Sequence, residues 1–244
     1  MAEGRYVYCI VGSSEKRELG GSGVLGRPAY VIGAEGIGAV VSTIPYAEID
    51  PSIDNIVAHQ RIVELSRAIG TALPVKFGVI FKTEEGVKTL LERSAGEYHS
   101  KLEKLHDRDE FGVKVLFKKD GLKRIRATVE DASPKIMTMK RTLKKSPKGK
   151  SYFTQLKIDE AVRNEAYKRL DALSRRIHEE LARSADDSSI LKSEHEQILL
   201  NAAYLVKKGE GAEFLERAAR LGREYADRGL IVHTSGPWAP YSFC

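Results

Sequence analysis

The chain has 244 residues, 42% hydrophobic and 30% charged, with no apolar run near the roughly 18 residues of a helical membrane span; a helix-spanning membrane protein and a disordered chain are excluded. Its net charge of +6 is uneven, because residues 114–150 hold thirteen Lys or Arg against three acids while the rest is slightly acidic, which points to an anionic partner. The two cysteines, Cys9 and Cys244, have neither metal spacing nor a disulfide framework, so free thiols are expected.

Tyr6–Val11 is a continuous apolar, β-prone run, as a buried central strand would be. Residues 1–5 lead straight into it without the features of a signal peptide, so a cytoplasmic location is expected. Gly12–Gly26 reads as a surface loop. Its Gly21, Gly23 and Gly26 match a dinucleotide fingerprint formally, but no strand runs directly through them into a helix, so phosphate binding is not expected. Ala29–Ile32 and Ile37–Ser42, separated by Gly33–Gly36, read as a hairpin. Asp50-Pro51 looks like a helix start, and Ile53, Ile56, Val57, Val63 and Ile69 supply an apolar stripe that Gly70 can end. His59 lies on this helix with no acid or nucleophile at a defined spacing, so a structural role is expected. Leu73–Phe81 is the next β-prone run, and residues 82–105 form an amphipathic helix or helix pair.

Glu110–Phe117 is a strand, and a second domain is placed from residue 109 onward: 1–108 an N-terminal α+β domain, 109–244 a C-terminal one. The basic segment Lys123–Lys150 reads as helical, with a loop over Ser146–Lys150. Ile158, Val162, Ala166, Leu170, Leu173, Ile177 and Leu181 recur every three or four residues, the narrow seam of a long helix packed on the helix before it. Short and longer strands at Ile190–Lys192 and Ile198–Val206, a helix marked by Phe214, Leu215, Ala218, Leu221 and Tyr225, and a strand at Leu230–His233 complete the order β-α-β-β-α-β. The fold class is therefore α+β with two domains, the second a modified ferredoxin-like fold with a long helical hairpin and an extended C-terminal tail.

That tail, Gly236–Phe243, holds the only Trp, two prolines and two more aromatics, so it needs a surface to lie on, in its own chain or in a partner. Trp238, Tyr241 and Phe243 are the candidate contacts, held extended by Pro237 and Pro240. Arg124, Lys140, Arg141, Lys144 and Lys145 are a second candidate set, for an acidic patch on a partner. No HExxH, Walker A loop, nucleophile elbow or paired-cysteine metal motif is present, so no catalytic, cofactor or metal site is assigned and the chain is read as a non-enzyme. His195 starts a zinc-helix pattern that lacks its second histidine. Nucleic-acid binding or a general adaptor role is the alternative; stacking aromatics are absent from the basic segment until Tyr152 and Phe153.

Five stretches resemble, in order, motifs of the gas vesicle protein F/L family. Gly236–Phe243 is similar to its terminal GPWPPYSF, with Ala239 in place of proline; Tyr6–Val11 to YxYGIV, with Cys9 for glycine; and Leu73–Gly78 to LPVRFG, with Lys76 for arginine. Glu110–Lys114 is similar to EWGVK and Asn201–Val206 to NAAFLV. The resemblance implies two α+β domains, the second ferredoxin-like, and a non-enzymatic accessory protein of gas vesicle assembly, the process that builds buoyancy shells. It also implies contact with the hydrophobic major shell protein, as chaperone or minor structural component, and with other accessory proteins. The implied location is the cytoplasm and the gas vesicle, with no membrane partner and no cofactor.

Overall fold

A run apolar at every position needs cover on both faces, and the computed structural model gives Tyr6–Val11 that place within β1 (Glu3–Val11). The described residues are 2–119, 121–144, 148–193, 195 and 197–244; the side chains of 122–124, 126, 144 and 148–151 fall outside the description. The chain forms two compact units, the first Met1–Phe111, Leu205–Gly209 and Gly236–Cys244, the second Gly112–Tyr204 and Glu210–Ser235. The division read from the sequence after residue 108 puts the tail with the second domain, whereas by compactness it falls in unit 1.

In unit 1, β1 pairs antiparallel with β4 (Ile37–Pro45), which pairs with β3 (Pro28–Ala34), and with β2 (Glu18–Ser22), β5 (Ala72–Pro74) and β6 (Ile80–Phe81) the order is β2-β3-β4-β1-β5 with β6 also on β1. A bulge between Val7 and Cys9 breaks the alternation of β1. Tyr6, Tyr8, Cys9 and Val11 consequently join the cluster under α1 (Ile53–Arg67), and Val7 and Ile10 the one under α2 (Glu84–Lys104). The β3–β4 hairpin turns at Glu35 and Gly36, both with positive φ (50° and 77°), the geometry of a type I′ turn.

Four expectations change here. The segment Gly12–Gly26 contains an edge strand, β2 (Glu18–Ser22). Gly23 serves packing: its N–H donates to the Arg27 carbonyl, and a Cβ there would strike the Tyr8 hydroxyl, which accepts from Val24 N–H at 2.9 Å. The cap of α1 is Ser52, which accepts from Asn55 N–H at 3.4 Å, so the helix starts later than Asp50-Pro51 suggests. The buried face of α1 is His59, Ile62, Val63 and Ser66, while Ile53 (80% exposed), Ile56 and Val57 face outward, because the core takes two polar residues with partners in place of those apolar ones. Finally, Leu73–Phe81 is two short strands, β5 (Ala72–Pro74) and β6 (Ile80–Phe81); Gly78, at φ 91°, lies between them and donates its N–H to the Tyr6 hydroxyl at 3.2 Å. Residues 84–104 form one helix, capped by Thr83.

Unit 2 is built on a sheet of order β10-β7-β9-β8, from β7 (Arg108–Phe117), β8 (Asp187–Ile190), β9 (Ile198–Lys207) and β10 (Leu230–Trp238). The basic segment is two helices, α3 (Gly121–Ala132) and α4 (Pro134–Lys144), split at Ser133-Pro134. Of the expected loop Ser146–Lys150, Lys148–Lys150 belong to α5 (Lys148–Ala182), and Ser146 and Pro147 lie outside the described residues. The α5 seam is present with one exception, the half-buried Leu173: Ile158, Val162 and Ala166 pack with Val129 of α3 and Ile136 of α4, and Leu170, Ile177 and Leu181 are buried further along. On its inner face α6 (Gly211–Tyr225) carries Phe214, Ala218, Leu221 and Tyr225, and Phe214 packs its ring 5.2 Å from Tyr204. His178 Nδ1 meets the Tyr204 hydroxyl at 2.9 Å, and burial lowers that imidazole's pKa.

Candidate functional site

Within unit 1, the tail is fastened through its backbone. Gly236, at φ 118°, lies where a Cβ would come 2.7 Å from the Glu110 carbonyl, so only glycine lets the chain pass this close. Ala239 N–H donates to Glu64 Oε1 at 3.1 Å. Ser242 gives both its N–H and its hydroxyl to the Glu110 carboxylate, at 2.7 and 2.8 Å. Glu64 and Asp109 in turn both pair with Arg67, so a chain of charges ties the tail to α1 and to the start of β7. Glu110 and Asp109 are buried, and a buried carboxylate with partners on both oxygens is a strong, directional anchor.

The tail side chains divide between two fates. Ala239 is fully buried in the α1-side cluster, Pro240 is buried, and Phe243 packs against the α2-side cluster. Trp238 is 48% exposed and Tyr241 38%, with Pro237 exposed beside them. Trp238 and Tyr241 line an open cleft of about 240 Å³ with Gln60, Glu64, Glu110 and Ala239. Along α1, Gln60 and Glu64 share a face with Ile53 and Val57, at intervals of three and four residues. The exposed apolar residues of that helix therefore run toward the cleft. The outcome is a rigid shelf with two half-free aromatics at one end and a bare apolar helix face leading to it.

Beneath the shelf, His59 Nδ1 and the Tyr6 hydroxyl are 2.8 Å apart, and the Tyr241 ring centroid is 6.5 Å from that of His59. Burial pushes the His59 imidazole down to about 4, against a smaller opposite pull from the Val75 carbonyl, so it is neutral at pH 7. Burial pushes the Cys9 thiol up to about 12 and raises the Tyr6 and Tyr241 hydroxyls. These groups are set for packing, since none is poised near neutral pH for proton transfer or nucleophilic attack.

The second candidate set lies in unit 2. Lys140 Nζ donates to Glu130 Oε2 at 2.6 Å and Arg141 is exposed, both on α4. Arg124 lies on α3 and Lys144 on α4, their side chains outside the description, and Lys145 lies outside the described residues. Among the described residues no three His, Cys, Asp or Glu side chains gather as a metal site would, and His99 is bound to the Glu35 carbonyl at 3.0 Å. The residues that fasten the tail were not singled out from the sequence. Glu64 and Ala239 are 175 positions apart, and the one local signal was the acid that opens Glu110–Lys114.

The family model described as "Gas vesicle synthesis protein GvpL/GvpF" matches residues 4–244. The chain belongs to this family. Gas vesicle protein L of Streptomyces sp. (strain CB03234) is 26% identical over 243 residues, covering 92% of this chain and 86% of that protein. Gas vesicle protein L1 of Halobacterium salinarum is 25% identical, covering all of this chain and 91% of the relative. The crystal structures of GvpF from Anabaena sp. PCC7120 and of GvpF from Microcystis aeruginosa superpose with TM-scores of 0.83 and 0.79. Each is 20% identical to this chain; the shared extent is 99% of this chain and 98% of the Anabaena protein, and 98% of both chains for Microcystis. The mixed α/β fold with two antiparallel sheets is thus the fold of this gas vesicle family. Membership in a gas vesicle synthesis family places the chain in gas vesicle assembly.

Proposed function

We propose that the chain acts in gas vesicle assembly as a non-catalytic protein that holds the hydrophobic major shell protein, as an assembly chaperone or minor structural component, working in the cytoplasm and at the vesicle. The observation that carries this reading is the shelf. Trp238 and Tyr241 stay 48% and 38% exposed on a tail whose backbone is anchored at Glu64 and Glu110, and the exposed Ile53 and Val57 lie on the α1 face that runs to it. A half-free Trp on a rigid support loses little entropy on binding, and such residues dominate interface energies. A shell subunit with bare apolar surface would aggregate alone, and a complementary apolar face can cover it until it is incorporated. Phe243, Pro240 and Ala239 support this surface from within; Pro237 stands exposed beside Trp238.

For unit 2 we infer the ferredoxin-like arrangement, modified by the helical hairpin. The sheet order β10-β7-β9-β8 is 4-1-3-2 in a βαββαβ run in which α3, α4 and α5 replace the first helix. Nucleic-acid binding is the competing function, and affinity that falls steeply with salt would favour it.

The test is co-purification of the cognate shell protein with the full chain and with two variants, Trp238→Ser/Tyr241→Ser and Ile53→Ser/Val57→Ser. Removing the tail outright is unsuitable, since it would also strip Ala239 and Phe243 from the core. Capture lost in both variants, each folded by circular dichroism, supports the shelf. Undiminished capture by both would place the contact elsewhere.

A further inference from the structure

The cleft at the end of the shelf is more acidic than an apolar docking surface requires. Its lining is Gln60, Glu64, Glu110, Trp238, Ala239 and Tyr241, and none of these described residues is a cation. Glu110 is only 9% exposed, and among the described residues it has no ion pair; its partner Ser242 donates from neutral groups. Carboxylates this deeply buried ordinarily have a counter-ion. Beside it, Glu64 and Asp109 share the single guanidinium of Arg67. Three carboxylates thus stand against one cation, two negative charges in excess, and the neutral imidazole of His59 adds no positive charge. Arg61, the other cation of α1, is exposed and does not line the cleft. The half-free rings of Trp238 and Tyr241 open onto the same space, and the faces of such rings are electron-rich.

We propose that this cleft seats a basic side chain of the shell protein, a lysine or arginine held by the ring faces of Trp238 and Tyr241 and by the charge of Glu64 and Glu110. The proposal rests on the shelf reading above and specifies what the aromatic end of the shelf recognises. A wholly apolar occupant would seal Glu64 and Glu110 away from water with their surplus charge unanswered, which is costly. An anionic occupant, nucleic acid included, would meet two uncompensated negative charges. A bare metal ion lacks its ligand set, because among the described residues no three His, Cys, Asp or Glu side chains gather. A lysine or arginine suits every group present. Its cation answers the surplus charge, its hydrocarbon stem covers the rings, and its N–H donors reach lone pairs that Ser242 and Ala239 leave open, since a carboxylate offers about four. Ile53 lies eleven residues before Glu64 on the same face of α1, about 16 Å at the helical rise. The segment that fits the whole shelf is therefore apolar over that length and basic at one end.

The test is the apparent dissociation constant of the cognate shell protein for the full chain, Gln60→Lys and Gln60→Glu, each folded by circular dichroism. Gln60 is exposed and makes no hydrogen bond among the described residues, so neither variant touches the anchors of the tail. Gln60→Lys puts a cation of the chain's own into the cleft and should weaken binding about tenfold, whereas Gln60→Glu should bind at least as tightly. Single replacement of the shell protein's lysines and arginines by glutamine should find one whose loss weakens binding to the full chain about tenfold and to Gln60→Lys much less. Equal effects of Gln60→Lys and Gln60→Glu, or no such basic residue, would overturn the assignment, and capture still lost in Ile53→Ser/Val57→Ser would then leave the shelf standing. Capture undiminished in both Ile53→Ser/Val57→Ser and Trp238→Ser/Tyr241→Ser would overturn the shelf reading and this assignment with it.

Discussion

Replacing Glu110 should loosen the tail while leaving the sheets intact. Its carboxylate is buried and accepts from Ser242 N–H and Oγ–H at 2.7 and 2.8 Å. Hydrogen bonds to a charged acceptor contribute about 1.5–3 kcal/mol each, and removing the carboxylate leaves the two Ser242 donors without that acceptor. Glu110→Ala forfeits both bonds but also removes the cost of burying the carboxylate, so a net destabilisation of about 3 kcal/mol is expected. Trp238 is the only tryptophan and sits four residues before Ser242, so its emission reports on this segment directly. Urea unfolding should show a lower midpoint, and at zero urea the emission should shift to the red as the tail leaves its dock. Glu110→Gln should fall between the two, since the amide keeps one acceptor oxygen and loses the charge. An unchanged midpoint together with an unchanged emission maximum in Glu110→Ala would refute the anchoring argument.

Other outcomes follow from the same geometry. Because His59 binds its proton more weakly folded, at about 4, than its ordinary 6.5, the unfolded chain takes up more protons between these values. Stability should therefore fall as pH drops through that window, by about 3 kcal/mol in all, and be unaffected by this group above it. His59→Gln should flatten that part of the pH profile of the unfolding midpoint; an equally steep profile would remove His59 as its source. Gly23→Ala should cost about 3 kcal/mol or more, since the new methyl meets the Tyr8 hydroxyl and the Arg27 carbonyl, and a midpoint within experimental error of the parent would contradict this. Trp238→Ala, at a side chain 48% exposed, should cost less than 1.5 kcal/mol, well below the roughly 3–5 of a buried aromatic; a larger loss would assign Trp238 to the core.

Elements whose burial follows residue type were legible in the sequence. The α5 seam is the clearest case, because Ile158, Val162 and Ala166 pack on α3 and α4 as their spacing requires. The apolar run of β1 likewise announced a strand covered on both sides. The α1 stripe misled for a physical reason: the core takes His59, whose Nδ1 pairs with the Tyr6 hydroxyl, and Ser66, which donates to the Ile62 carbonyl, while Ile53, Ile56 and Val57 face outward. No count of apolar residues contains that information. The tail was recognisable as a segment that must dock, and the family motifs marked it. Which of its aromatics would be buried depended on Glu64 and Glu110, whose partners lie 175 and 132 residues away.

The most direct measurement is the apparent dissociation constant of the cognate shell protein for the full chain and for Trp238→Ala, each with its unfolding midpoint determined in the same buffer. A weakening of about tenfold or more with little change in the midpoint is expected of a half-exposed interface Trp. An unchanged dissociation constant, or weakening only in step with lost stability, would contradict the claim that the tail shelf holds the shell protein.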